Sequence, residues 1–473
     1  MLKKLAIVFG IGFLVLLLLV GGALIWFSHD ASKALAEAKA GLVEDGAPFS
    51  IEQVLPEVDD ADNAAPLYLE LDAYVEEHPS ILAFDDSLEG LIPDEDLDPY
   101  QAVQTFQIEP ELWPEIGKLL STEDFEGYFN RIEQIAEKPS FKPDWNYDAG
   151  PAMLVPEVGI IKRAADRLLM KAAYSIHMGQ DGDAARYLYQ TLRLSEHVGQ
   201  GDNLICLLTS VATQKMAYRF QQAASWQSQN WHQAGLGNWN LKPSERWIAS
   251  MDMERLGLAS PFFEAIIEGD YERLLELSGG EVPSLQLKTA SNPLVVWFFK
   301  YDYAAYLTYM RKARQLQPEA LGAFADFEER FQEEVKKHRH LLTAIVTPAV
   351  RSMYDHVIAA EARNELVRTS SALEAYKTIA GQYPDSIEAL TPQYLDQIPM
   401  DPFSQAPLHY RKEGNAFTLY SIGTNLVDDG GSIDEEDTNW PTEGDIVWTG
   451  RGSVPHREQS PGDQPTSEPA LSR

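Results

Sequence analysis

The feature that most limits what this chain can fold into is an uncharged apolar run close to its N-terminus. The run extends from Leu5 to Phe27. About 23 residues with a rise of ~1.5 Å each give a helix of roughly 34 Å, which is longer than the ~30 Å hydrocarbon core of a bilayer. Lys3 and Lys4 precede the run, which predicts a cytoplasmic N-terminus. The sequence therefore predicts a single-pass signal anchor in the cell membrane, with the bulk of the protein extracytoplasmic.

The alternative interpretation of this run is a cleaved signal peptide, in which Gly21 and Ala23 would be the small residues at the cleavage site. The run is longer than the ~7–15 apolar residues of a signal peptide. It also ends in Trp26 and Phe27, and tryptophan is common at membrane interfaces. These two properties favour an uncleaved anchor.

Composition and charge limit the kinds of partner. The chain has 473 residues, of which 45% are hydrophobic, so a folded protein with its own cores is expected beyond the anchor. Its formal net charge is −34, and no lysine or arginine lies between Lys39 and Lys118. An acidic surface repels nucleic acid and anionic lipid. We therefore expect protein partners, a membrane contact through the N-terminal helix, and no nucleic acid.

Between the anchor and the C-terminal region the pattern is helical. From Ile160 to Ile176 apolar residues recur every four positions, which predicts a helix packed along one broad face. A glycine-containing break at residues 179–183 ends this helix, and Asp183 is predicted to cap the next one. A second break at residues 199–202 precedes a third helix, so an antiparallel helical array is expected.

The sequence motifs that usually indicate catalysis are absent. There is no His-Glu-x-x-His, no Gly-x-Ser-x-Gly and no glycine-rich phosphate loop. His338 and His340 lie two positions apart, which on a helix directs them to different faces and makes a poor metal pair. Cys206 is the only cysteine, and its apolar surroundings predict a buried, unreactive thiol. We therefore do not expect an enzyme.

The C-terminal region has the pattern of a small sheet with an acidic loop. Residues 408–412 and 416–422 alternate around a Gly-Asn turn, which predicts a hairpin whose second strand directs Phe417 and Leu419 to one face. Residues 446–448 supply a third strand. The loop before that strand is rich in carboxylates and contains two adjacent glycines, so it is too polar to be held by burial alone. This combination suggests a loop held in place by a metal ion.

The order of residues in this region resembles the C-terminal domain of the type II secretion major pseudopilin, which is related to the type IV pilins. Any one of the matching dipeptides would be a weak signal, but the matches follow one another in the family's order. They are Tyr383-Pro384, Tyr394-Leu395, the stretch Pro399 to Phe403, Pro407 with Tyr410, Phe417, Leu419 to Gly423, Gly430-Gly431 and Asp445-Ile446.

The resemblance implies a long helix packed on a small antiparallel sheet, with calcium bound in the loop that precedes the last strand. Calcium takes oxygen ligands from carboxylates, amides and carbonyls, all of which this loop offers. Asn425, Asp428 and Asp445 match polar positions of the family's loop, and local chemistry adds Asp429 and Asp434. We therefore expect calcium as the cofactor, with these residues as its ligands.

The predicted fold class is α+β, with an N-terminal transmembrane helix, a large mainly α-helical domain and a small C-terminal pilin-like helix plus antiparallel sheet. Changes in periodicity and composition set the expected boundaries. The predicted parts are a signal anchor at residues 1–29, an acidic and proline-broken helical region at 30–150, an irregular helical array at 151–350, a pseudopilin-like domain at 351–449 and a disordered tail at 450–473.

Three hypotheses for the function follow. The first is a membrane-anchored extracytoplasmic binding or scaffold protein with a calcium-stabilised pilin-like module. The second is an atypical subunit of a type II secretion or pilus machine, although residues 1–29 lack the pattern of a pilin leader. The third is a carboxylate-dependent hydrolase. We favour the first because it accounts for both the apolar run and the C-terminal pattern.

Overall fold

The protein is mainly helical and carries a small antiparallel sheet, which agrees with the α+β class in its coarse form. The predicted tail lies outside the described residues apart from Gly450. The computed structural model describes residues 2–92, 98–228, 231, 241–278, 292, 295–347, 350–432 and 444–450, with side chains from residue 18 onward except at residue 151.

The N-terminal helix α1 (Leu2–Glu44) contains the predicted membrane run. The side chains of that run before Leu18 lie outside the described residues. In the part of the chain that is described, no helix is both long and apolar enough to cross a membrane. Beyond Phe27, α1 continues into the folded region, where Ala31 and Leu42 are buried.

Short helices follow α1 in the acidic region, as its prolines predict. Several of them have proline in the first turn, where a missing backbone N–H costs no hydrogen bond. These helices are α2 (Ala65–Glu77), α3 (Pro79–Leu82), α4 (Phe84–Leu91), α5 (Pro99–Gln104), α6 (Trp113–Leu119) and α7 (Glu123–Ala136).

The predicted helical array is present as α8 (Pro156–His177), α9 (Asp181–Gly199) and α10 (Leu204–Gln227), which pack against one another. The predicted cap of α9 is wrong. Gln180 is the capping residue and makes no side-chain cap, while Asp183 lies in the first turn. The chain turns at Gly179, which has a φ of 73°, and so re-enters a helix before it reaches Asp183.

The remaining helices lie in the later part of the chain, between α10 and the sheet. A π-helix at Glu254–Ala259 joins α11 to α12. The helices are α11 (Trp247–Met253), α12 (Ser260–Glu268), α13 (Tyr271–Leu277), α14 (Val296–Arg314), α15 (Leu321–His338), α16 (Leu341–Val346) and α17 (Val350–Ala380).

Two large apolar cores share helix α10. Ala217 and Phe220 face the first core, which is formed mainly by α2 to α9. Leu207 and Val211 face the second core, which contains the end of α1, α14, α17 and the sheet. Cys206 is buried in the first core, as predicted. Because α10 is buried on both sides, it connects the helical array to the C-terminal region.

The sheet consists of β1 (His409–Glu413), β2 (Ala416–Ser421) and β3 (Ile446–Val447), in the antiparallel order β1-β2-β3. This confirms the predicted hairpin and third strand. Tyr410 is paired with Leu419, and Tyr420 with Val447. One side of β2 packs on α17 through Phe417 and Leu419, which belong to the second core. We refer to α17, the sheet and the loop between β2 and β3 as the C-terminal head.

Candidate metal loop on the C-terminal sheet

The loop after β2 folds back over that strand. Gly430 and Gly431 both have positive φ, at 76° and 73°. A Cβ atom at Gly431 would lie 2.8 Å from Tyr420 Cδ1 and 3.0 Å from Thr418 Cγ2. The loop therefore covers the side of β2 that faces away from α17, and Thr418 and Tyr420 are buried together with Phe417. Both sides of β2 are therefore buried, because the glycines allow the loop to lie flat on the side that faces away from α17.

Asp445, at the entry to β3, holds this loop through its backbone. Its Oδ2 accepts the backbone N–H of Gly431 at 2.6 Å, and its Oδ1 accepts that of Asp429 at 3.3 Å. The Asp445 residue is only 6% exposed. A buried carboxylate with two amide donors fixes the loop more firmly than a neutral side chain could, because hydrogen bonds to a charged group are the stronger ones.

Asp428 lies on the outer side of the same loop. Its Oδ1 accepts the hydroxyl of Tyr420 at 2.9 Å and the backbone N–H of Gly430 at 2.9 Å. Its Oδ2 lies 3.5 Å from Nδ1 of His409, whose ring stacks on Tyr420 with centroids 4.7 Å apart. Asp428 thus joins the loop to both β1 and β2.

The carboxylates of the loop differ in acidity. Burial raises the pKa of Asp445, the amides of Gly431 and Asp429 oppose that rise, and the charges of Asp429 and Asp428 add to it. For Asp428, partial burial acts to raise the pKa, but the hydrogen bonds from Gly430 and Tyr420 together with His409 outweigh it, and the pKa is lowered. The carboxylate of Asp445, which is the inner one of the two, is therefore the one whose charge a bound cation would stabilise most.

The structure brings most of the predicted ligands together, but their oxygens accept hydrogen bonds from other groups of the protein. Asn425 donates its side-chain amide to Asp429 Oδ2 at 2.9 Å, and its Oδ1 accepts the backbone N–H of Val427 at 2.9 Å. Asp428, Asp429 and Asp445 surround the loop as described. Asp434 lies outside the described residues.

These residues suit calcium by chemistry, although the described part of the loop is not a complete site. Among the described residues, no three His, Cys, Asp or Glu side chains form a group that could hold a metal ion. The donors are all oxygens, and within the described part of the chain Asp428 is the only one of the three carboxylates that lies beside a basic side chain, that of His409. Calcium binding stays a prediction.

Sequence reasoning missed Asp401, which fixes the C-terminal end of β2. Its fully buried carboxylate accepts the backbone N–H of Phe403 at 3.0 Å, the hydroxyl of Ser421 at 2.7 Å and the backbone N–H of Ile422 at 3.1 Å. The Asp-Pro dipeptide at 401 indicates a turn, and an aspartate in a turn often accepts the amide two residues later. Nothing in the sequence indicates the contact with β2, about 20 residues away.

Comparison with known proteins gives a partial match. The chain is similar to the type II secretion system core protein G of Pseudomonas aeruginosa, with 30% identity over 119 residues. The match covers 21% of this chain and 83% of the relative. No protein-family model matches the chain, and no solved structure matches it. The match fits the pseudopilin-like region expected from the ordered C-terminal residues, and over that share of its length the chain belongs to the family of the type II secretion system core protein G.

Proposed function

We propose that this protein is a membrane-anchored extracytoplasmic scaffold whose C-terminal head binds proteins of a type II secretion assembly. The observation that carries the proposal is the head itself: a long helix, a three-stranded sheet and a loop held by Asp445, in a chain related to a secretion system core protein. The uncharged run of α1 supplies the anchor. The proposal assigns the protein no catalytic step.

The packing of α17 supports a binding or scaffold role over polymerisation. Tyr354, Ile358 and Leu366 on this helix are buried within the chain, where α17 contacts α10 and β2. A helix whose apolar side chains are already covered offers little apolar surface to a neighbouring subunit. The head is therefore proposed as a module that binds other proteins.

Exposed apolar side chains indicate which surface of the head binds. Ile398 and Met400 precede β1, Leu426 and Val427 follow β2, and all are exposed. The two segments are connected through Asp401, which lies next to Met400 and accepts an amide at the end of β2. Exposed apolar surface on a folded protein is a common site of protein binding. We propose that this surface contacts the partner.

Calcium is part of the proposal as a stabiliser of the head. Its ligands would come from Asp428, Asp429 and Asp445, with Asn425 and Asp434 as the other predicted donors. When bound, the ion would supply positive charge beside the three carboxylates. The chain's own contribution is to hold those carboxylates around the glycine loop.

The test places a photo-crosslinking amino acid at Val427, which is 54% exposed, in the full chain in native membranes. Proteins captured on irradiation are identified by mass spectrometry. We expect secretion-machine components, because Val427 lies on the proposed binding surface.

The matched control places the same amino acid at Ile379, which is 73% exposed at the end of α17. Capture of secretion components at Val427 but not at Ile379 supports the proposal. Capture of the same proteins at both positions, or of unrelated proteins at Val427, contradicts it.

A further inference from the structure

The first turn of α14 lies beside the end of the uncharged run of α1. The rings of Phe27 and Trp297 stack with centroids 5.1 Å apart, and Trp26 packs edge-on against Phe27 at 5.0 Å. Phe298 adds a further ring next to Trp297. We call these four side chains, Trp26, Phe27, Trp297 and Phe298, the aromatic collar.

Polar contacts begin about one turn beyond the collar on both helices. The hydroxyl of Tyr301 donates to Asp30, and Nζ of Lys300 donates to Ser32 Oγ at 3.0 Å. No charged residue lies on α1 between Leu5 and Phe27. The two helices therefore change from apolar to polar at the same level, and the collar marks that level.

The collar leaves apolar surface uncovered by the described chain. Trp26 is 60% exposed and Phe27 is 38% exposed, and the neighbouring Ile25 is 74% exposed. Trp297 and Phe298 are half-buried. Apolar surface left in water forgoes about 25 cal/mol for each Å² that could be covered. Tryptophan is enriched where a bilayer meets water, because the ring is largely apolar and its N–H is polar.

We propose that the first turn of α14 is a second membrane-contacting element, and that the aromatic collar lies in the headgroup layer of the bilayer crossed by α1. This inference rests on the proposed function, because it takes α1 as the anchor. The uncharged run ends at Phe27, so an α1 that crosses the bilayer brings Phe27 to the interface. Stacking then brings Trp297 to the same depth. The collar sets the direction in which the folded region leaves the membrane.

A lipid surface fits the collar better than a second copy of the chain. The collar continues the apolar run without interruption, so both would be covered by the same bilayer. The formal net charge of −34 makes two copies repel each other. The same charge disfavours anionic lipid, and a zwitterionic bilayer is therefore the expected surface.

The test measures membrane depth at single spin labels on the full chain in phosphatidylcholine vesicles. Cys206 is buried and is the only cysteine, so Cys206→Ser gives a background free of thiols. Labels are placed through Phe298→Cys in the collar, Gly22→Cys in the run and Ile379→Cys on the head. A Cβ at Gly22 meets nothing within 4 Å, so this label does not disturb the fold. Depth is the ratio of accessibility to oxygen over accessibility to a water-soluble nickel chelate.

We expect the ratio at position 298 to lie above that at 379 and below that at 22. A second label through Asn292→Cys, at an exposed position next to the start of α14, gives the same reading if Phe298→Cys fails to fold. Equal ratios at 298 and 379, with a high ratio at 22, overturn the collar but leave the anchor intact. A low ratio at 22 overturns the anchor and the collar with it. A label at 298 shielded from both reagents overturns the lipid contact in favour of a second copy.

Discussion

Oδ2 of Asp445 lies 2.6 Å from the backbone nitrogen of Gly431, so the residue that opens the last strand holds the loop that covers the strand before it. This contact bridges the loop residues 433–443, which lie outside the described part of the chain. It means that the loop is fixed at both ends by contacts with the sheet. The candidate site is therefore a property of the sheet as much as of the loop sequence.

The first prediction is that Asp445→Ala destabilises the head. The change removes the acceptor of two backbone amides and leaves the Gly431 amide, which is buried, without a partner. An unsatisfied buried donor costs about 1–3 kcal/mol. Urea unfolding of the full chain in detergent micelles measures the loss. The control is Asp396→Ala, which removes an exposed carboxylate of the same chain, and an equal loss in both variants would contradict the role assigned to Asp445.

The second prediction separates backbone conformation from packing at the two loop glycines. Gly430 and Gly431 have nearly the same φ, so alanine at either position carries a similar cost of about 1–2 kcal/mol. A Cβ at Gly430 meets nothing within 4 Å, whereas at Gly431 it would press on Tyr420 and Thr418. Crowding of this kind costs about 1–3 kcal/mol more. The melting temperature of Gly431→Ala should therefore lie well below that of Gly430→Ala. Equal melting temperatures would mean that the loop does not lie on β2.

Periodic elements of this protein could be read from the sequence because their spacing is local. The four-residue recurrence from Ile160 to Ile176 predicted α8, and the alternation around Gly414 predicted β1 and β2. The order of the C-terminal residues also gave the family. The first two signals lie within a few helical turns or one hairpin, and the third is the order of residues along one stretch of chain, from Tyr383 to Ile446.

Contacts between distant segments could not be read in the same way. The carboxylate of Asp401 reaches Ser421, and Phe27 stacks on Trp297, yet neither residue type specifies its partner. The composition of the loop predicts metal binding, but it does not show that Asp445 accepts amides of the loop, which depends on a positive φ at Gly431. Such roles follow from three-dimensional packing and not from spacing.

His197 shows a second arrangement of this kind, in the first core. Its Nε2 lies 2.8 Å from the carbonyl oxygen of Lys138, so Nε2 must carry the proton, and Nδ1 accepts the hydroxyl of Tyr68 at 2.9 Å. Burial lowers the pKa of His197 to about 4, with the Lys138 carbonyl opposing the shift and Arg193 adding to it. The folded protein therefore keeps this imidazole neutral.

The third prediction is that stability falls as the pH drops from about 6.5 to about 4, because the unfolded chain binds a proton at His197 in this range and the folded chain does not. The resulting loss of unfolding free energy reaches roughly 3 kcal/mol at the acid end of this range. His197→Gln should remove it, so the difference in unfolding free energy between wild type and variant narrows as the pH falls. His356→Gln, on α17 and outside the first core, is the control for the loss of an imidazole. Parallel pH curves for wild type and His197→Gln would contradict the neutral, buried state.

The fourth prediction concerns calcium. Added to the full chain after treatment with EDTA, calcium should raise the melting temperature. At a free concentration a hundredfold above the dissociation constant, binding to the folded state stabilises it by about 2.7 kcal/mol. Asp428→Ala and Asp429→Asn should reduce the shift, because each removes a carboxylate oxygen from the loop. The shift is compared within each variant, so that a lower starting stability does not count as lost binding.

The pH dependence of the calcium-induced melting shift tests the calcium prediction independently. The pKa of Asp445 is raised by burial and by the charges of Asp429 and Asp428, so protons compete with calcium for the inner carboxylate more than they would at an ordinary aspartate. The calcium-dependent shift should therefore shrink as the pH is lowered. Asp396→Asn, which leaves the loop intact, should keep both the shift and its pH dependence. An unchanged melting curve with calcium in wild type would remove calcium from the proposal, while the Asp445 contact with Gly431 would still account for the order of the loop.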